Sequence, residues 1–122
     1  MNKTSKKDFE LYKNECRKWI KIFGLLDWEL YFEHESKTVD ALAGCSFTRV
    51  GRNVTLWLSK NWGTNKVSTL DIKMTAFHEI GELLLSPLND LAMERFVTQD
   101  QVEEATHVII RTLENVVYPR LK

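Results

Sequence analysis

The sequence predicts an α+β fold in a single domain that spans residues 1–122. The chain is short and 43% of its residues are hydrophobic, which is enough apolar material for one compact core but not for two. Apolar residues recur at helical spacing near both ends, whereas the segments between them alternate apolar and polar residues as half-buried strands do. Because these strands follow one another without intervening helices, the order favours a small three-stranded antiparallel sheet over parallel βαβ units.

The N-terminal helix and the first strand follow each other closely. Apolar residues at helical spacing predict a helix over residues 6–23, and Gly24 stands where a C-terminal stop is expected. Alternation of apolar and polar residues then predicts a strand over residues 28–35. His34, on this strand, is interpreted as a structural histidine rather than a ligand.

Two further strands are predicted to form an antiparallel hairpin. Residues 41–47 and residues 54–58 both show an alternation with a period of two. The Gly-Arg-Asn segment at residues 51–53 supplies the turn between them. Residues 61–66, which contain one glycine and two asparagines, are expected to form a loop.

A long second helix is predicted over residues 70–85. Ser68 and Asp71, three residues apart, form a capping pattern at its start, and Pro87 ends the apolar-rich run. The helix is hydrophobic nearly all round, so its polar residues are expected to be partly buried. Gly81, in its middle, marks either a close approach of another backbone or a position where the helix simply tolerates a glycine.

The sequence closes with a shorter and a longer predicted helix. The short helix is expected within residues 88–96. Thr98 and Gln101 form another capping pattern, and apolar residues at helical spacing over 102–116 then predict a C-terminal helix before Pro119.

The composition argues against a membrane or a nucleic acid as partner. Seventeen basic residues balance seventeen acidic ones, so no net field draws the chain toward phosphate backbones or anionic lipids. The first twenty-odd residues are basic, but acidic residues are interleaved there, as on a solvated helix face. A DNA-associated adaptor that uses this helix is the weakest interpretation. No apolar run nears the roughly 18 residues needed to span a bilayer.

The two cysteines, Cys16 and Cys45, are expected to be free thiols. They lack the CxxC spacing, so the sequence indicates neither a disulfide framework nor a thiolate zinc knuckle. Free buried thiols fit a reducing compartment, and the start of the chain has no signal-peptide-like apolar stretch. The expected location is therefore the cytoplasm.

Three residues of the second helix carry the predicted chemistry: His78, Glu79 and Glu82. His78 and Glu82 stand four apart, so on a helix they share a face with Cβ atoms about 5–6 Å apart and could hold one metal ion. Glu79 is turned about 100° around the axis, where it could act as general base on a metal-bound water. A solvated surface stripe is the alternative interpretation, but the apolar helix around these residues favours a metal site.

Residues 77–85, Phe-His-Glu-Ile-Gly-Glu-Leu-Leu-Leu, resemble the zincin helix His-Glu-x-x-His, with Glu82 in place of the second histidine. Together with the order of elements, they make the chain similar to the minimal zincin-like metallopeptidases of phage and bacterial genomes, of the SprT-like and gluzincin-like kind. The resemblance implies a zinc-dependent peptidase or related hydrolase that acts on a peptide or protein, with Glu79 as catalytic base. For a phage protein, the place of action would be the host cytoplasm.

The resemblance also implies a third protein ligand from the C-terminal helix, for which Glu103, Glu104 and His107 are candidates. His107 is preferred because it would preserve a set of two histidines and one carboxylate, and Glu104 is the second choice. Such a site would also suit other divalent first-row metals. An extended peptide could add to a sheet edge supplied by the hairpin over residues 41–58. Because Glu82 departs from the zincin pattern, a catalytically inactive binding module that acts on a host factor is the alternative function.

Overall fold

The computed structural model describes residues 2–36 and 41–117 of the chain. Within these residues, four helices accompany a small mixed sheet, and the first two of them share a hydrophobic core with it, so the predicted α+β class is confirmed. The elements in chain order are β1 Asn2–Lys3, α1 Lys6–Ile22, β2 Glu29–His34, β3 Ala43–Thr48, β4 Asn53–Leu58, β5 Asn61–Gly63, α2 Thr69–Leu84, α3 Ser86–Ala92 and α4 Gln99–Val116.

The first helix, α1, lies where the sequence predicts it and packs closely on α2. Ser5 caps its N-terminus reciprocally with Asp8, which satisfies two backbone N–H groups that would otherwise lack a partner. Gly24 follows the helix with a φ of +69°, a left-handed conformation that glycine adopts without strain. The helix buries Tyr12 and Cys16 completely.

The sheet has the strand order β2-β4-β3. The predicted hairpin is confirmed, because β3 and β4 pair antiparallel from Ala43 opposite Leu58 to Thr48 opposite Asn53. β2, however, pairs parallel with β4, so the expectation of a wholly antiparallel sheet is wrong.

The position of β4 explains why β2 runs parallel to it. Val54, Leu56 and Leu58 on β4 are fully buried, and the central place in the sheet covers this strand along both edges. The chain therefore leaves β2, skips one strand position to form β3, and returns through the middle. Alternation in a sequence indicates which residues form strands, but it does not reveal which strands become neighbours.

The segment expected as a loop after the hairpin contains a short strand. β5 pairs antiparallel with β1, which lies at the N-terminus. The prediction of a loop is therefore wrong for residues 61–63. Trp62 on β5 is buried, and its indole N–H donates a hydrogen bond to the Leu42 carbonyl at 3.1 Å. This anchors the segment after the sheet beside the start of β3.

The second helix, α2, begins after Ser68 as predicted. The Ser68 hydroxyl accepts a hydrogen bond from the Asp71 backbone N–H at 3.1 Å. Ile72, Ala76 and Ile80 recur at helical spacing and are fully buried against α1 and the sheet. Hydrophobic side chains elsewhere on the helix stay exposed, namely Leu70, Met74 and Phe77.

Two glycines of this region have opposite surroundings. A Cβ atom added at Gly44, on β3, would lie within 3.0 Å of the Trp57 indole, whereas one added at Gly81, on α2, would meet nothing within 4 Å. Of the two interpretations of Gly81, the structure therefore supports a tolerated glycine and not a close approach. The close approach lies at Gly44, where the indole of the paired strand lies across the backbone.

The last two helices pack on each other. α3 begins directly after α2 with Pro87 in its first turn, where a missing N–H costs nothing. The predicted Thr98 and Gln101 capping box opens α4, which packs on α3 and buries Ala105 and Ile109. Pro119 lies outside the described residues. Within the described part of the chain, no helix combines the length and the apolar character needed to cross a bilayer.

Candidate metal centre

An open cavity of about 680 Å³ lies between α2 and the start of β3. Residues 41–45, Trp62, Asn65 and Lys66 line it together with residues of α2. The side chains that α2 contributes are Asp71, Met74, Thr75, His78, Glu79 and Glu82.

The three predicted residues His78, Glu79 and Glu82 meet at this cavity. One ligand atom from each residue can be chosen so that all three atoms lie within 4.8 Å of one another. The spacing of the helix explains this geometry, because residues four apart share a face and Glu79 is the neighbour of His78 on the side toward the core. Imidazole nitrogen and carboxylate oxygen are ligand types that zinc accepts. The helix thus provides a group of side chains that could hold a metal ion.

Glu79 differs from its two partners in burial. Glu79 is one of the buried residues of α2 and is 4% exposed, whereas His78 and Glu82 are exposed. Burial, and then the hydrogen bond and the negative charge of Glu82, raise the pKa of Glu79 to about 8. In the described part of the chain no lysine or arginine forms an ion pair with Glu79. A bound cation would compensate a charge that is otherwise costly to bury.

The expected ligands from α4 do not join this group. His107, Glu103 and Glu104 are exposed, and among the described residues the cluster of possible ligands contains none of them. Glu104 instead lines a separate cavity beside Arg49 and Pro87. The reason is the placement of α3, which follows α2 directly and holds α4 against itself.

Cys45 is a further chemical group at the cavity, and the sequence indicated it only as a free thiol. It lies on β3, is half-buried, and lines the cavity together with the three residues of α2. Burial, followed by the charges of Glu79 and Glu82, raises the pKa of its thiol to about 12. The alternation over residues 41–47 already placed Cys45 on the core-facing side of the strand, which was the available signal.

The third histidine, His34, takes part in packing rather than in this cavity. Its Nε2 lies 2.7 Å from the Thr4 hydroxyl, and its ring stacks on Phe9 with centroids 4.7 Å apart. These contacts agree with its interpretation as a structural residue.

No protein-family model, curated protein or solved structure matches this chain. The likeness to zincins therefore depends on residues 77–85 and on the order of elements alone.

Proposed function

We propose that the chain is a metal-dependent hydrolase of peptide bonds, with zinc held by His78 and Glu82 and with Glu79 as general base. The observation that carries this proposal is the meeting of these three residues, within 4.8 Å, at the wall of an open cavity. A carboxyl group that stands beside metal-binding side chains is placed to act as general base toward a water molecule on the metal. A reducing cytoplasm suits the two free thiols of the chain.

The roles of the residues follow from their placement. A zinc ion, when bound, supplies a Lewis acid that brings the pKa of a water molecule toward about 7. Glu79 accepts the proton of the attacking water and returns it to the leaving amine, for which a pKa near the working pH is favourable. A cation nearby also favours the ionised form of Glu79, which lowers its pKa from the value of about 8 that it has without one.

The edge of the sheet supports a peptide as the substrate. β3 is an edge strand, and the consecutive residues Ala41 to Cys45 at its start line the cavity. Successive side chains of a strand point to opposite faces of the sheet. When consecutive residues all line one cavity, it is therefore their backbone that they have in common there. An extended peptide could pair with this free edge and bring a carbonyl group toward His78.

Two substitutions on α2 test the proposal, each with a matched control on α4. Elemental analysis of protein purified without chelator is expected to find about one zinc per chain, and His78→Ala is expected to lose it while His107→Ala keeps it. Glu79→Gln is expected to retain zinc and to abolish the cleavage of a mixed peptide library, whereas Glu103→Gln leaves cleavage unchanged. A folded, zinc-loaded chain that cleaves no peptide of the library would contradict the assignment of catalysis.

A binding module without catalysis is the second candidate, and Glu82 is the observation that favours it. A carboxylate in this position lowers the net charge of the site, which weakens a bound ion as a Lewis acid. Among the described residues, the group of possible ligands also contains neither Glu104 nor His107 from α4, so two ligands and the base are all that this group supplies. A folded chain that carries no metal after purification without chelator would favour the module over the hydrolase.

A further inference from the structure

A second cavity, of about 600 Å³, lies where α1 meets β2 and shares no lining residue with the candidate metal centre. The residues of α1 that line it include Asn14, Arg17, Lys18 and Lys21. They recur at a spacing of three or four, so they share one face of the helix. Three of them are positively charged, and none of the described residues that line this cavity is acidic. The cavity therefore favours an anionic ligand.

Two of these cations have no counter-charge from the described part of the chain. Neither Arg17 nor Lys21 forms an ion pair there, whereas Lys18 lies 3.6 Å from the Glu15 carboxylate. The Arg17 guanidinium instead lies over the ring of Phe32 on β2, 5.0 Å from its centroid. Stacking of this kind holds the charge beside the strand and leaves the guanidinium N–H groups able to donate to a carboxylate.

The strand beside this cavity, β2, is an edge of the sheet, because β4 is its only partner among the described strands. The Glu29 backbone N–H donates a hydrogen bond at 2.8 Å to the carbonyl of Arg52, next to β4. Backbone groups of successive strand residues point to opposite edges, so those of Leu30 and Phe32 point away from β4. Leu30 also lines the cavity. Unpaired N–H and C=O groups and a row of positive charges thus lie side by side.

The spacing of the charges fits an extended acidic segment. α1 runs alongside β2, since Phe9 stacks on His34 at one end and Arg17 lies over Phe32 farther along. Arg17 and Lys21 are four residues apart, about 6 Å along the helix axis. In a strand added to β2, side chains on one face would recur roughly every 6.6 Å. Acidic residues at alternate positions of such a strand would therefore meet Arg17 and Lys21 in turn.

We propose that the cavity between α1 and β2 binds an extended acidic segment of a partner protein, which adds to β2 as a strand and pairs its carboxylates with Arg17 and Lys21. Main-chain hydrogen bonds supply affinity in strand addition, and side-chain contacts supply specificity. A second copy of this chain that pairs through its own β2 is disfavoured, because it would bring the same cations to the interface. Nucleic acid is disfavoured because a phosphate backbone has no N–H and C=O ladder to offer to the strand edge.

Three short fluorescent peptides test the proposal on the whole native chain, with binding followed by anisotropy in the presence of a chelator. The first peptide alternates threonine and glutamate, the second has glutamine in place of glutamate, and the third is the first with all its backbone nitrogens methylated. Only the first is expected to bind. Equal binding of the second would overturn recognition by charge, and equal binding of the third would overturn strand addition. An oligothymidine of the same length that binds more tightly than the first peptide would overturn a protein partner.

A pair of double variants with matched charge tests the assigned residues. Arg17→Gln combined with Lys21→Gln is expected to weaken binding of the acidic peptide by about 2- to 30-fold, the range for two exposed ion pairs. Lys6→Gln combined with Lys7→Gln removes the same charge from the exposed first turn of α1 and is expected to leave binding unchanged. Equal weakening in both double variants would overturn the specific pairing.

Amide hydrogen exchange of the native chain locates the peptide even if a variant fails to fold. Binding of the acidic peptide is expected to slow exchange at the backbone N–H groups of Leu30 and Phe32 and to leave β3 unchanged. Protection of β3 in place of β2 would overturn the proposal. Each of these measurements is made without metal and without cleavage, so its outcome is independent of the proposed hydrolase activity.

Discussion

The contact between Gly44 and Trp57 gives the sharpest prediction of stability. A Cβ atom at residue 44 would lie closer than 3.0 Å to the indole, whereas ordinary contact begins at 3.4 Å, so the two must separate by at least 0.4 Å. Trp57 is 7% exposed and stands on the strand paired with Gly44, so neither side can move freely. Overpacking of this kind costs about 1–3 kcal/mol. We therefore expect Gly44→Ala to lower the free energy of unfolding by that amount.

Gly81 provides the matched control, because the same substitution should act there in the opposite direction. A Cβ atom at residue 81 meets nothing within 4 Å, and a glycine inside a helix costs roughly 0.5–1 kcal/mol relative to alanine. Gly81→Ala is therefore expected to stabilise the chain. Urea unfolding followed by circular dichroism measures both variants against the native protein. A Gly44→Ala variant as stable as the native chain, or a destabilised Gly81→Ala variant, would refute the packing described for β3 and α2.

Three further predictions follow from single side chains. Tyr12→Phe is expected to leave the free energy of unfolding unchanged or to raise it by up to about 1 kcal/mol, because among the described residues the buried Tyr12 hydroxyl finds no hydrogen-bond partner stronger than the Cys16 thiol; urea unfolding checks this. Thr98→Ala removes the capping box of α4 and is expected to cost about 0.5–2 kcal/mol, measured in the same way. In metal-free protein, Glu79 keeps its proton up to a pKa of about 8, while the unfolded chain releases it near 4.5. Its contribution to the free energy of unfolding is therefore complete below pH 4.5 and is lost as the pH rises to about 8. Glu79→Gln should remove this dependence of the free energy of unfolding on pH, which unfolding curves recorded across the range would measure.

The helices and the three residues that α2 contributes to the candidate site could be predicted because their signals are local. Periodic apolar residues and capping pairs such as Thr98 with Gln101 lie within one or two turns of each other, and the structure confirms them. The same locality fixes His78, Glu79 and Glu82 on one helix. Local signals therefore gave the class of fold and the core of the candidate site.

Features that depend on distant contacts could not be predicted in this way. The parallel pairing of β2 follows from the central position of β4, and β5 forms only because β1, about sixty residues away, pairs with it. A ligand from α4 was expected from the zincin resemblance, but the direction of α4 is set by its packing on α3. Cys45 reaches the cavity through the register of the hairpin, and the alternation of its strand alone does not relate it to α2.

The burial of Glu79 links the stability of the fold to its proposed chemistry. Ile72, Ala76 and Ile80 press α2 onto the core, and this packing carries Glu79 below the surface beside Glu82. In the absence of a cation the same burial opposes ionisation of Glu79. An ionised Glu79 therefore does not stabilise the folded state of metal-free protein near neutral pH. A cation at the cavity would favour the charged form and stabilise the folded chain by mass action. Zinc should therefore raise the melting temperature of the native chain more at pH 8 than at pH 6, since fewer protons compete for the ligands.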